Sequence, residues 1–189
     1  APASIQKATV AGPTLSSTVP VKITTGATGS VWIIAIEPYA YGDNRLIIGN
    51  AGVSGSTLGG WLQTSGSGNA WNVIGFLPVY APDLTIIDLG VNDAGALLDV
   101  ATFRSRMQTL ADAAYAAGSA VLFKTMIPSL GDRAIREGEY AVALRDSMSP
   151  RYAVLDLFTH YGAWERNNAR GWMRDWGHGT DDLYRDVGE

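Results

Sequence analysis

The 189-residue chain has no cysteine, only two histidines, His160 and His178, and charged side chains at just 17% of its positions. Without thiols there is no disulfide scaffold, no thiolate metal site and no cysteine nucleophile, and two imidazoles do not build a multi-histidine metal centre. Lys and Arg number 14 against 18 Asp and Glu, a formal charge of −4. No basic run exists that could follow a phosphate backbone, so nucleic acid is not an expected partner. The longest apolar runs, residues 31–36 and 120–123, fall far short of the roughly twenty residues that cross a bilayer, and no membrane span is expected. The first residues, Ala-Pro-Ala-Ser-Ile-Gln-Lys, lack both an initiator Met and the basic-then-apolar pattern of a signal peptide. The simplest expectation is a processed chain or part of a longer polypeptide. With 22 Gly, many Ser and Thr and no Cys, the composition fits an extracellular or virion-associated protein.

What is present is enough apolar sequence, 47% of residues, for one sizeable core or one core plus a small appendage. The pattern changes near residue 45. Residues 19–25 and 30–36 are rich in β-branched and aromatic side chains, and Gly26-Ala27-Thr28-Gly29 between them reads as a hairpin loop. Pro13, Pro20 and Pro38 stand at the edges of these runs, where a missing ladder donor is tolerated. Residues 1–44 are therefore expected to be a β-rich segment and residues 45–189 an α/β domain. In the second part, residues 45–50, 84–89, 120–126 and 152–158 are candidates for buried strands. Phe103, Met107, Leu110, Ala111, Ala114 and Tyr115 recur at the spacing of one helix face, and Gly118 supplies the stop. A second helix is expected over residues 132–148, despite Gly138 inside it, which costs about 1 kcal/mol relative to Ala. Thr180, followed by Asp181 and Asp182, marks the start of a last helix. Strands alternating with helices predict a parallel sheet wrapped by helices, with the site at the strand C-termini. The Gly/Ser-rich residues 63–69 read as a mobile loop.

Three groups of residues fall where such a sheet would place chemistry. The first is Asn50-Ala51-Gly52-Val53-Ser54-Gly55-Ser56-Thr57, whose glycines let a backbone N–H face a cleft unobstructed. The second is Leu89-Gly90-Val91-Asn92-Asp93, where the Asn amide can donate to a developing oxyanion and the Asp can cap the next turn. A plain glycine turn and a plain capped turn account for these two groups equally simply. The third is Asp175-Trp176-Gly177-His178. A carboxylate three residues before an imidazole can hold one ring tautomer and leave the other nitrogen free to act as a base.

In order and separation these blocks resemble the SGNH hydrolases, the GDSL-type esterase and lipase superfamily. The resemblance covers residue 45 to the end, and implies that residues 1–44 are the end of an inserted β domain and that the α/β domain is incomplete at its first strand. It implies a three-layer α/β/α sandwich on a parallel, flavodoxin-like sheet. It also implies that Gly55 and Asn92 form the oxyanion hole, that Asp175 is the orienting acid and that His178 is the general base. The flanking text agrees: Pro82-Asp83-Leu84-Thr85-Ile86-Ile87 precedes the Gly-x-Asn-Asp block, Val154-Leu155-Asp156-Leu157 comes before the last block, and Tyr184 lies on the closing helix. No metal or organic cofactor is implied. The implied substrate is an ester, with an O-acetyl group on a carbohydrate as the leading class.

The chain departs from the family pattern at the nucleophile. No Gly-Asp-Ser occurs: Gly42-Asp43 is followed by Asn44, and Gly12-Pro13-Thr14-Leu15-Ser16 is only a distant look-alike. Ser30, Ser54 and Ser56 are better explained by turns, so the nucleophile is unknown. The Pro usual after the histidine is Gly179. Two expectations follow. Either a further polypeptide segment carries the nucleophile, or the chain is an inactive module that binds a glycan or serves a structural role in a virion or surface assembly. Among the remaining residues, Trp61, Trp71, Trp172 and Trp176 can stack on sugars but more simply anchor packing. Asp132, Arg133, Arg136 and Glu137 read as a solvated helix start with local charge pairs. Arg166, Arg170 and Arg174 can receive an acidic substrate, although a surface salt-bridge cluster with Glu165 is the simpler reading. His160 is taken as a surface or packing residue.

Overall fold

A computed structural model describes residues 48–62, 73–147 and 151–188. The expected strands and hairpin before residue 45, the look-alike at residues 12–16, Ser30, the loop at residues 63–69 and Trp71 lie outside these residues. Two compact units divide the chain, Gln6–Val53 and one containing Ser54–Glu189. Of the first, the described residues include a turn in which Gly52 N–H donates to Asn50 Oδ1 at 2.8 Å.

The second unit is α/β, built on a three-stranded parallel sheet in the order β1 (Leu84–Ile87), β2 (Ala120–Lys124), β3 (Ala153–Leu155). Leu84 pairs with Ala120 and Leu122 with Ala153, so the strand C-termini share one end of the sheet. Two short helices, α1 (Leu58–Trp61) and α2 (Val73–Tyr80), precede β1. Between β1 and β2 come α3 (Val91–Gly95) and α4 (Val100–Ala116), and α5 (Asp132–Ser147) links β2 to β3. The chain closes with α6 (Leu157–Tyr161), α7 (Trp164–Ala169) and α8 (Asp181–Gly188).

The pattern on α4 is the one its spacing demands: Phe103, Met107, Leu110, Ala111 and Ala114 are buried. Asp99 starts the helix by accepting from Thr102 N–H at 2.9 Å, and Gly118, with φ +90°, ends it in the left-handed region that favours glycine. Tyr115 departs from expectation. Its ring is half exposed and meets Tyr152 edge-on, because residue 115 has already rotated off the buried stripe. Against α4 lie Phe123 from the middle strand, Met126 just beyond its end, and Tyr140 and Leu144 from α5, forming the main core. Each such side chain, fully buried, contributes about 1.5–3 kcal/mol. Gly138 does not break α5. A Cβ there would stand 3.1 Å from the Phe158 ring, so the glycine admits an aromatic side chain against the helix.

Residues 48–50, the described part of the first expected strand, are not in a strand. The strand expected over residues 152–158 is shorter, because Asp156 accepts from Thr159 N–H at 3.1 Å and starts α6. No helix among the described residues is long and apolar enough to cross a membrane.

Candidate active site

The Asp175-Trp176-Gly177-His178 block is the tip of a short hairpin clipped by an antiparallel bridge between Met173 and Gly179. Arg174 N–H donates to His178 C=O at 2.8 Å, closing the turn. Within it, Asp175 Oδ1 accepts from the backbone N–H groups of Gly177 and His178, each at 2.9 Å. The same carboxylate meets His178 Nδ1 at 2.9 Å. Stabilised first by the Gly177 N–H and then by the imidazole, the Asp175 carboxyl is held below the usual carboxylate range. The His178 ring is largely exposed, and its Nε2 has no partner among the described residues. The arrangement supplies an oriented imidazole with one nitrogen open for proton transfer.

This hairpin rests on the loop after β2. Leu130 N–H donates to Trp176 C=O at 2.7 Å, and Ser129 Oγ would lie 3.3 Å from a Cβ at Gly177. Ser129 is itself fixed from below by Glu137, whose carboxylate accepts from Ser129 N–H at 2.8 Å and Oγ at 2.6 Å. Glu137 is fully buried, and burial raises its pKa. The expected solvated helix start is thus corrected at this residue: the glutamate turns inward to satisfy two buried donors. Arg136 does form the expected local pair, with Glu139 at 2.8 Å. On the far side of the hairpin, Gly179 leaves room for Leu183, whose side chain would come within 2.6 Å of a Cβ there, and Gly179 N–H donates to the Tyr184 hydroxyl at 3.2 Å.

Gly55 and Asn92 are brought to one place by a clasp between their loops. Gly55 has φ +74°, a Cβ there would meet nothing within 4 Å, and its N–H has no acceptor among the described residues. Asn92 Nδ2 donates to the carbonyl of Ser56, next to Gly55, at 3.0 Å, which leaves its second amide hydrogen available. Asp93 is not the local cap expected from sequence. Its buried carboxylate accepts from Leu58 N–H at 3.1 and 3.2 Å, 35 residues away, and so ties α1 to α3. Burial dominates and raises the Asp93 pKa, with the Leu58 N–H and Arg106 opposing it. Gly90, before α3, is required: at φ +129° its Cβ would stand 2.9 Å from Met126 Sδ and 3.0 Å from Phe103.

Arg133, absent from the sequence-derived site, touches both the hairpin and α3. Its guanidinium carbon lies 4.0 Å from the centroid of the Trp176 ring. Its Nη2 occupies the space beside Gly95 on α3, 2.5 Å from where a Cβ would be. Trp176 in turn meets the His178 ring at a centroid distance of 5.6 Å. Nothing local in the sequence connects these positions. Trp61 is buried and donates to Ser56 Oγ at 2.9 Å, and Trp172 packs edge-on to Tyr161, both anchoring roles. Ser54 is exposed, Ser56 Oγ accepts from Trp61, and the His178 ring bonds to Asp175 rather than to either serine. Arg174 pairs with Asp181 at 3.6 Å rather than with Glu165, and Arg170 lies over Trp172. The exposed His160 meets the Tyr161 ring edge-on, a packing contact.

The chain matches no family model, no curated protein and no solved structure.

Proposed function

We propose that this chain is an SGNH-like esterase module, a three-layer α/β/α sandwich that hydrolyses an ester, with an O-acetyl group on a carbohydrate as the substrate class. The observation that carries the reading is the Asp175–His178 pair, in which three donors hold the carboxylate in place while the exposed imidazole keeps Nε2 free. A serine hydroxyl, carried by a further polypeptide segment outside this chain, attacks the ester carbonyl as His178 Nε2 takes its proton. Asp175 stabilises the imidazolium that forms. The Gly55 N–H and the remaining Asn92 amide hydrogen receive the negative charge on the carbonyl oxygen. His178 returns the proton to the leaving alcohol, and water then releases the acid by the same steps in the second half. No cofactor takes part.

The test is turnover of p-nitrophenyl acetate by this chain and by the product of its whole reading frame, each with and without His178→Ala. Hydrolysis that requires His178 in either preparation is the expected result. Hydrolysis unaffected by the substitution, or none in either preparation, refutes the esterase and leaves a binding or structural module.

A further inference from the structure

Arg133 is a cation held in position without a direct ion pair among the described residues. Its guanidinium is fixed between the Trp176 ring and the slot beside Gly95, yet it forms no ion pair or hydrogen bond among the described residues. Glu137, one turn further along the same helix, feels the Arg133 charge, but its oxygens are taken by Ser129 N–H and Oγ. The other arginines near the hairpin are engaged differently, Arg174 with Asp181 and Arg170 over Trp172. With Nη2 and Nε against Gly95, the end of the guanidinium that carries Nη1 is the edge left to pair, and a cation already fixed over an indole loses little further freedom when it does. That edge suits a planar carboxylate, which it can meet with two parallel hydrogen bonds.

Arg133 and His178 touch the same half-exposed indole. Both groups therefore border one patch of surface around Trp176. We infer that Arg133, positioned by Trp176 and Gly95, binds a carboxylate on the sugar that bears the ester, so that the preferred substrate is an acylated acidic sugar. This rests on the esterase reading for the word substrate, but the carboxylate site itself can be tested without turnover.

The experiment is a titration of the chain with methyl β-D-glucuronide and, separately, methyl β-D-glucoside, following the Trp176 indole N–H and the Arg133 Nε–H by NMR. Trp176→Phe and Arg133→Gln assign these signals. The expected result is saturable movement of both signals with the glucuronide only, affinity about tenfold or more weaker in Arg133→Gln, and an intermediate loss in Arg133→Lys. The comparison of the two glycosides on the unaltered chain needs no variant to fold. Equal binding of both glycosides, no movement with the glucuronide, or unchanged glucuronide affinity in a folded Arg133→Gln overturns the inference. Arg133-dependent binding without His178-dependent hydrolysis overturns the esterase reading alone, whereas hydrolysis without such binding overturns the carboxylate site alone.

Discussion

Replacing Asp93 tests whether the clasp between the Gly55 and Asn92 loops holds by the bond described above. Leu58 is fully buried, and its N–H has the Asp93 carboxylate as acceptor. In Asp93→Ala that donor loses its partner in a site with no access to water, a penalty of about 1–3 kcal/mol. Part of this is offset, because the ionised Asp93 is itself disfavoured by burial, the cause of its raised pKa. A net loss of about 2 kcal/mol is expected, a large fraction of the stability of an ordinary domain. Asp93→Asn keeps a carbonyl acceptor and sheds the buried charge, so its loss is less than about 1 kcal/mol. Urea unfolding followed by tryptophan fluorescence reads both, and with a slope of about 2 kcal/mol per molar the Ala variant's midpoint falls by about 1 M. The pH dependence has a definite sign. The folded pKa lies above 3.8, so the native state binds more protons between that value and the folded one, and this contribution to stability falls as pH rises through the window. Asp93→Asn removes that slope. Equal midpoints for the Ala and Asn variants, or an Ala variant as stable as the parent, would refute the clasp.

Two further substitutions probe the site. Asp175→Asn keeps an acceptor for the Gly177 and His178 N–H groups but removes the charge beside Nδ1. The hairpin is expected to persist while ester turnover in the competent preparation falls about 10⁴-fold, and a loss under about tenfold would remove the orienting role. Because the Asp175 pKa is lowered, its stabilisation is present above 3.8 and is lost as pH falls through the folded value, and acid titration of the Asn variant should lack this component. Glu137→Ala strands Ser129 N–H and Oγ in the interior and is expected to cost about 2–4 kcal/mol by thermal unfolding. The raised pKa of Glu137 has the opposite sign to that of Asp175: stability falls as pH rises above 4.5, and Glu137→Gln should flatten that decline.

What could be read from the sequence was local. Helix α4 announced itself because its apolar residues recur at helical spacing and run into a Gly stop, whereas its Asp99 cap emerged only in the structure. Helix α2 did not, since Val73–Tyr80 has no polar face to set a period and contains Pro78. The end of β3 was misjudged because Leu157 and Phe158 continue an apolar run, and only the Asp156 side chain turns the chain into a helix. At the site, Asp175 and His178 were legible because three residues of spacing suffice to bring them together. The Asp93–Leu58 bond and the Arg133–Trp176 contact were not, because each depends on packing between segments more than thirty residues apart in sequence.

The hairpin that carries Asp175 and His178 closes on itself, through its own backbone bonds and the Met173–Gly179 bridge. Asp175 and His178 consequently move together as one unit. On the esterase reading, breathing between this unit and the Asn92 loop would change how far the imidazole stands from the Gly55 N–H and the Asn92 amide, while the contact between carboxylate and ring is kept. Regulation on that reading would work by spacing.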